Sequence, residues 1–267
     1  SQFYIESLSV YPIKSCGAFK IPNGMRWEVK REGLVWDREW CLIHQGTGVA
    51  LNQKKYPRMA LVRPFIDLDK RVLRITCGDT ETDQKILEVS LSREDTNMVS
   101  TSLCQRSSSK SSTVCGDQVN IQAYTSSAIS SFFSEFLGVP CTLARFPPQT
   151  SIRYSKLRGC AMQTQRGFKR PLMPGSFPQD PPLYLPDKNP ILLSNESPIL
   201  LISRSSVNRL NETIKASSKR GNGTGKAVAA NVFRGNIVVA EQRSQAGNQE
   251  RPYAEDSWTS ARIGPSQ

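Results

Sequence analysis

Short segments rich in Val, Ile, Leu and aromatic residues fill most of the first 122 residues. Turn-forming stretches such as Pro22-Asn23-Gly24 and Gln45-Gly46-Thr47-Gly48 separate them. Many short strands at near-regular spacing favour an antiparallel barrel or sandwich. The predicted strands are Phe3–Val10, Met25–Lys30, Glu39–His44, Met59–Asp69, Arg71–Thr76 and Ile86–Leu91.

The remainder of the chain alternates helices and strands. Thr125 or Ser126 can cap the clearest helix, and Gly138 ends it. Its one-sided apolar stripe consists of Ile129, Phe132, Phe133, Phe136 and Leu137. A second amphipathic helix carries Val207, Leu210 and Ile214, and further strands are predicted at Cys141–Phe146, Ile199–Ser203 and Ile237–Ala240.

Three stretches have the composition of loops. Ser and Thr dominate residues 94–113, which we interpret as a mobile surface loop. Pro is concentrated in residues 147–190, an extended insertion outside the core, and Lys215–Lys226 is a basic Gly/Ser loop. The sequence therefore predicts a mainly β fold with a few helices, a β-barrel-rich α+β protein, in two parts: 1–122 and 123–267.

The formal net charge is +12, which raises the question of nucleic-acid binding. The basic residues are dispersed, however, and no aromatic-interleaved basic stripe of the kind used by single-strand binders is present. The charge indicates either a solvated basic surface or a field that attracts a small, multiply charged anion. No apolar run approaches the length of a membrane span, so we expect neither a nucleic-acid nor a membrane partner.

The cysteines indicate a reducing compartment. All 7 lack Cys-x-x-Cys spacing, which fits free thiols better than a disulfide framework, so a cytoplasmic location is expected. The chain begins with Ser1 instead of an initiator Met, and we interpret it as a piece of a longer chain.

Several common catalytic arrangements are missing from the sequence. His44 is the single histidine, which excludes His-based triads and multi-His zinc sites. The sequence has no G-x-G-x-x-G after a strand, no Walker loop and no G-x-S-x-G elbow. Catalytic residues stay unassigned, and no metal-ligating set is predicted.

One segment near the N-terminus has the chemistry of an anion site. In Tyr11-Pro12-Ile13-Lys14-Ser15-Cys16, proline favours extended geometry before it, which leaves Lys14 and Ser15 at a strand end. An ammonium and a hydroxyl suit an anion, although such a pair is also found in ordinary turns. Arg38 has two interpretations: an ion pair with Asp37 or Glu39, or a guanidinium that faces an oxyanion.

Three polar residues of the second part are further candidates. Ser197 precedes a strand, as a turn residue or as a donor to a phosphate. Arg234 and Asn236 alternate in a segment predicted to be extended, so both side chains would share one face. Each residue taken singly is more often structural than functional.

Five ordered motifs together resemble a known family. They are Tyr-Pro-Ile-Lys-Ser-Cys (11–16), Gly-Leu-x-x-Asp-Arg-x-Trp (33–40), Asn-Glu-Ser-Pro (195–198), Phe-Arg-Gly-Asn-Ile-Val-Val (233–239) and Tyr-Ala-Glu-Asp-Ser-Trp (253–258). The series resembles a MOSC domain preceded by its N-terminal β-barrel. Within that superfamily it is most similar to the C-terminal part of eukaryotic, and more specifically fungal, molybdenum cofactor sulfurases, which Leu51–Arg58 and Phe136–Cys141 also support.

The resemblance implies a site for the molybdenum cofactor (Mo-molybdopterin). It implies a MOSC N-terminal β-barrel over 1–122 and a MOSC domain over 123–267. The cofactor would be held by Lys14, Ser15, Arg38, Ser197, Arg234 and Asn236. In the sulfurase family, a cysteine desulfurase domain with pyridoxal phosphate, which this chain lacks, supplies sulfur for Mo=O to Mo=S exchange. The implied partners are that domain and the molybdenum hydroxylases xanthine dehydrogenase and aldehyde oxidase.

The sequence also departs from the family pattern. Family members continue into a Cys-x-x-Cys-like segment whose cysteine contacts the metal, so we expect this chain to be C-terminally truncated. Glu196 stands where a small hydroxyl residue is common, and Cys16 is predicted to be a buried structural thiol. Two alternatives to the sulfurase function stay open: an amidoxime-reducing-type molybdenum oxidoreductase and a degenerate, non-catalytic binding module.

Overall fold

The structure of the chain is a computed structural model. Fifteen short strands and two α-helices are present among its described residues, which are 3–78, 85–93, 98–104, 118–146, 153–154, 190–194, 197–219, 225–241, 251–258, 261 and 263. No helix among these residues is long and apolar enough to span a bilayer. The mainly β fold with few helices predicted from the sequence is confirmed.

The chain forms two compact units. The larger unit comprises Ser9–Ser155 and Lys188–Pro198, and the smaller unit comprises Ser1–Leu8, Lys156–Asp187 and Ile199–Gln267.

The strands and helices are numbered here in the order in which they occur along the chain. The strands are β1 (Phe3–Val10), β2 (Phe19–Ile21), β3 (Val29–Lys30), β4 (Gly33–Leu34), β5 (Trp40–His44), β6 (Val62–Asp67), β7 (Val72–Cys77), β8 (Ile86–Ser90), β9 (Met98–Cys104), β10 (Gln118–Tyr124), β11 (Cys141–Arg145), β12 (Arg153–Tyr154), β13 (Pro190–Ile191), β14 (Leu201–Ser203) and β15 (Ile237–Glu241). The helices are α1 (Ser127–Leu137) and α2 (Arg204–Lys219).

An antiparallel sheet in the order β5-β11-β10-β9 forms the centre of the larger unit. Arg145 of β11 pairs with Trp40 of β5, and the register continues to Cys141 and His44. One face of this sheet contributes to an apolar core. The buried members of that core are Cys41, Ile43, Ile121, Ala144, Phe146 and Leu193.

Helix α1 follows the sequence prediction closely. Ser126 is its N-cap residue, and Gly138 ends it in the left-handed conformation with φ of 70°. The helix buries Ile129, Phe133 and Leu137. Because capping residues and a 3.6-residue period lie within one short segment, they identify this helix without knowledge of the rest of the fold.

A second sheet of the larger unit has the order β6-β7-β8. Buried and exposed residues alternate along β6, as in a strand with one solvated face. The predicted strand Met59–Asp69 begins too early, because Pro57–Leu61 forms a 3-10 helix with Pro57 in its first turn. Only Val29–Lys30 of the predicted strand Met25–Lys30 is paired, in a short ladder with Gly33–Leu34.

The smaller unit is organised around β15. This strand pairs in parallel with β14 and in antiparallel with β1, where the register shifts between Ile5 and Ser7. Helix α2 packs on β15, and the local core consists of Val207, Ala230 and Val238, with Ile202 against it.

Two loop predictions need correction. Met98–Cys104, within the segment predicted as a loop, is strand β9 because it pairs along its whole length with β10. Lys215–Lys219, predicted as the start of a basic loop, is the last turn of α2. Most of the predicted insertion 147–190 lies outside the described residues, although Arg153–Tyr154 within it pairs with the strand Pro190–Ile191.

Candidate functional site

Lys14 lies at the end of a short parallel pairing with β5. Trp40 donates its N–H to the Pro12 carbonyl over 2.9 Å, and Lys14 donates its N–H to the Trp40 carbonyl over 2.7 Å. The half-buried Lys14 side chain then reaches the Leu193 carbonyl, with Nζ and O 2.8 Å apart. The ammonium is therefore fixed in position, and an ammonium carries three donors.

Ser15 has an unusual backbone conformation for a residue other than glycine. Its φ is 66°, in the left-handed region, which carries a steric cost for residues with a Cβ. Neither its N–H nor its hydroxyl forms a hydrogen bond with the described residues. Two donors next to an ammonium are thus available to a ligand. The neighbouring Cys16 is fully buried, as expected for a structural thiol.

Arg38 is held by a mostly buried ion pair. Its guanidinium binds Asp37 Oδ2, and the two side chains are only 15% and 2% exposed. Asp37 Oδ1 accepts the Tyr11 N–H over 2.8 Å, and the Arg38 guanidinium carbon lies 5.1 Å from the centroid of the Tyr11 ring. Trp36 and Arg38 both have positive φ, 67° and 51°. The sequence alternative of an ion pair with Asp37 is confirmed, but the pair is not a surface one.

Leu193 brings the two cationic residues together. Its carbonyl accepts a hydrogen bond from the Lys14 ammonium, and its N–H donates to the backbone carbonyl of Arg38 over 3.2 Å. Ser197 follows on the same segment of the larger unit, with an exposed side chain. This segment packs closely on β4, since a Cβ on Gly33 would lie 2.5 Å from the Pro198 carbonyl oxygen.

A buried charge network supports this region, and the sequence interpretation missed it. Arg145 is fully buried and donates from Nε to Glu39 Oε1 over 2.8 Å. Its other donors reach the carbonyls of Ser92 and Leu91 over 2.7 and 2.8 Å. The guanidinium carbon also lies 4.6 Å from the centroid of the Trp40 ring. The available signal was an arginine inside the mostly apolar predicted strand Cys141–Phe146.

Arg93 is the second cation of this network. Its guanidinium donates to Glu39 Oε1 over 2.5 Å and to the Phe146 carbonyl over 2.8 Å. Burial lowers the pKa of Arg93, and the Glu39 carboxylate acts in the opposite direction. Glu39 is therefore locked between two arginines, which fixes the backbone directly after Arg38.

Arg234 and Asn236 belong to the smaller unit. Arg234 ends the 3-10 helix Ala230–Phe233 in the left-handed conformation, with φ of 58°. Asn236 is 1% exposed; its N–H donates to the Leu200 carbonyl over 2.8 Å, and its Oδ1 accepts the Leu200 N–H over 3.1 Å. The prediction that both lie on one face of an extended segment is wrong, because the turn precedes the strand that begins at Ile237.

Among the described residues, neither the thiols nor the histidine belongs to a group that could hold a metal ion. Burial raises the pKa of Cys41 to about 12, against the opposing charge of Lys14, and burial also raises the pKa of Cys77 to about 12. The half-buried His44 accepts the Gly46 N–H at Nδ1 over 3.1 Å. Across the described ranges, no group of three His, Cys, Asp or Glu side chains is placed to hold a metal ion.

The donor set of the larger unit fits an oxyanion. It combines two positioned cations with the hydroxyl and the N–H of Ser15, which have no partner among the described residues. Charge-assisted hydrogen bonds of this kind are the strong contacts that phosphate and oxo groups receive in proteins. A planar, strongly anionic cofactor is compatible with these residues.

The comparison with protein families agrees with this chemistry. The family model for the MOSC N-terminal beta barrel domain matches residues 2–140, and that for the MOSC domain matches residues 188–267. The chain therefore belongs to the MOSC family, with the barrel domain preceding the MOSC domain.

The relatives of this chain narrow the family further. Molybdenum cofactor sulfurase of Aspergillus clavatus is 67% identical over 99% of this chain and 32% of its own length. The sulfurases of Aspergillus fumigatus and Aspergillus niger are 66% and 67% identical, again over 99% of this chain and 31% and 32% of their lengths. The chain thus spans about a third of these proteins and matches their C-terminal portion.

Proposed function

We propose that this chain binds the molybdenum cofactor as the C-terminal part of a molybdenum cofactor sulfurase. The observation that carries the proposal is that Leu193 links Lys14 and Arg38, because its carbonyl accepts a hydrogen bond from the Lys14 ammonium and its N–H donates to the Arg38 backbone carbonyl, next to the donors of Ser15. The names of relatives that are 66 to 67% identical support the choice of ligand.

Each candidate residue has a role that follows from its chemistry. Lys14 and Ser15 bind the phosphate or the oxo groups of the cofactor, and Arg38 adds forked donors that its ion pair with Asp37 holds in place. Ser197 contributes a hydroxyl. In the smaller unit, Arg234 contributes a cation and Asn236 an amide, which suit the charged groups and the hydrogen-bonding edge of the pterin.

When bound, the cofactor would supply the molybdenum centre for Mo=O to Mo=S exchange. In this proposal the sulfur comes from the pyridoxal phosphate-dependent cysteine desulfurase domain of the same longer protein. The exchange activates xanthine dehydrogenase and aldehyde oxidase, in the cytoplasm. Cys41 and Cys77 are poor sulfur carriers, because a pKa of about 12 keeps both thiols protonated near neutral pH.

The experiment mixes the purified chain with isolated molybdenum cofactor and measures the molybdenum and pterin that remain after gel filtration. We expect retention by the wild type and a loss of about tenfold or more in Lys14→Ala and Arg234→Ala, since each removes a charge-assisted contact. Lys20→Ala, an exposed lysine on β2, is the matched control and should retain cofactor normally. Equal retention of cofactor by Lys14→Ala and Lys20→Ala would contradict the assignment of Lys14 to the binding site.

Assays on the same preparation distinguish the two alternative functions, an amidoxime-reducing oxidoreductase and a degenerate binding module. Reduction of an amidoxime substrate by the loaded chain would favour the oxidoreductase. A wild-type chain that retains neither molybdenum nor pterin would favour the degenerate binding module.

A further inference from the structure

Two segments reach the same edge of β5 from opposite directions. Residues 12–14 run parallel to β5, and Lys14 donates its N–H to the Trp40 carbonyl. Residues 49–51 run antiparallel to it, and Leu51 donates its N–H to the Leu42 carbonyl over 2.8 Å. These carbonyls are two residues apart on one strand, about 7 Å. Both segments therefore leave the sheet beside Cys41. The first continues as Ser15, and the second continues as Asn52.

The pairing also determines which face the side chains occupy. Paired residues of a sheet share a face, and successive residues alternate. Ile13 pairs with Trp40, so Lys14 lies on the opposite face, which is that of Cys41. Ala50 pairs with Ile43, which also lies on this face, and Asn52 follows two residues further on. The Lys14 charge acts on the Cys41 thiol, which agrees with this placement.

The Asn52 amide is oriented by the turn that follows it. Its Oδ1 accepts the Lys55 N–H over 3.0 Å, and its own carbonyl accepts the Tyr56 N–H over 3.0 Å. A backbone N–H requires an acceptor, so the amide oxygen faces the turn and Nδ2 faces away from it. Within the described part of the chain, Nδ2 forms no hydrogen bond. The exposed end of this side chain therefore offers donors only.

The surrounding turn is positively charged. Residues 49–58 contain Lys54, Lys55 and Arg58 and no Asp or Glu. A donor-only amide in a positive field suits an oxyanion and disfavours a cation.

We propose that Asn52 is a further binding residue of the Lys14–Ser15 site, and that its Nδ2 donates to an oxyanion group of the ligand. The inference rests on the proposed function in one respect: it takes that ligand to be the molybdenum cofactor. The turn 52–55 thereby holds one donor of the site in a fixed orientation before the ligand arrives.

The test uses a substitution that preserves the turn and reverses the donor. Asn52→Asp keeps an oxygen for the Lys55 N–H but replaces Nδ2 by a negatively charged oxygen. We expect its urea unfolding midpoint to equal that of the wild type, while retention of isolated molybdenum cofactor, measured as molybdenum and pterin, falls by tenfold or more. Asn23→Asp, at an exposed turn with the same change of charge, should retain cofactor as the wild type does.

The outcomes separate this inference from the proposed function. Wild-type retention together with equal retention by Asn52→Asp would overturn the inference alone, since Asn52 would then serve only the turn. An equal loss in Asn52→Asp and Asn23→Asp would overturn it as well, because net charge would explain both. A wild-type chain that retains no cofactor would overturn the proposed function and this inference together.

Discussion

Arg145 donates from Nε to Glu39 Oε1 over 2.8 Å, and both side chains are almost entirely excluded from solvent. Glu39 directly follows Arg38, so the pair fixes the backbone that carries a candidate ligand-binding cation. A buried pair of this kind contributes little net stability when complete, but the loss of one partner leaves an uncompensated charge.

Replacement of Arg145 by methionine should be strongly destabilising. Arg145→Met leaves Glu39 with Arg93 alone and removes the donors to Ser92 and Leu91, so we expect the free energy of unfolding to fall by about 3–5 kcal/mol. Urea denaturation measures the change. Arg209→Met breaks an ion pair whose side chains are 60% and 65% exposed, and it should cost less than about 1 kcal/mol. Similar losses in both variants would contradict the role of the buried pair.

Ser15→Gly should change stability and binding in opposite directions. Glycine adopts the observed φ of 66° without a Cβ penalty, so the free energy of unfolding should rise by up to about 1 kcal/mol. Cofactor retention should fall, because the hydroxyl donor is lost. Chemical denaturation and the retention assay give the two values.

A serine in ordinary helical geometry is the control for that substitution. Ser131→Gly, at an exposed position of α1, should lower the free energy of unfolding by about 0.5 kcal/mol and leave retention unchanged. A destabilised Ser15→Gly would show that the left-handed conformation carries no strain.

Gly235→Ala should create a steric conflict with one identified side chain. The new Cβ would lie 2.5 Å from Ile202 Cδ1 and 2.8 Å from Cγ1, and overpacking of this kind costs about 1–3 kcal/mol. Ile202→Val removes Cδ1, so the double variant should be less destabilised than the sum of the two single variants. A double-mutant cycle by urea denaturation measures this coupling, and strict additivity would exclude the contact.

The buried thiol of Cys41 predicts a loss of stability at alkaline pH. Its pKa is about 12 in the folded chain, above the value of about 8.5 for an exposed thiol. The thiol is protonated in both states below pH 8, so its contribution is fully present there. As pH rises from about 9 towards 12, the unfolded chain loses the proton first, and the free energy of unfolding falls.

The variant Cys41→Ala isolates this effect from the other groups that titrate at alkaline pH. We expect its free energy of unfolding between pH 8 and 10.5 to decline less steeply than that of the wild type, by about 1 kcal/mol per pH unit near the upper end. Parallel pH profiles for the two proteins would rule out a buried, protonated thiol.

Local sequence patterns predicted the strands and helices that are specified by residues close together in the sequence. Strand β1 has the predicted bounds Phe3–Val10, and helix α1 ends at the predicted Gly138. Strand β9 was predicted as a loop, because its Ser- and Thr-rich segment gains its structure from pairing with β10. The 3-10 helix before Arg234 was missed for a similar reason, since short helices have weak sequence signals.

For the candidate site, the sequence by itself determined which chemical groups are present. Lys14, Ser15, Arg38, Ser197, Arg234 and Asn236 were chosen from motifs, and their assignment to the cofactor stays a prediction. Only the tertiary structure decided how they are supported. Lys14 contacts Leu193, 179 residues away in the sequence, and Arg145 contacts Glu39, 106 residues away. The amide oxygen of Asn236 accepts the backbone N–H of Leu200. Such contacts depend on strand register and burial, which act between distant segments and leave no periodic signal in the local sequence.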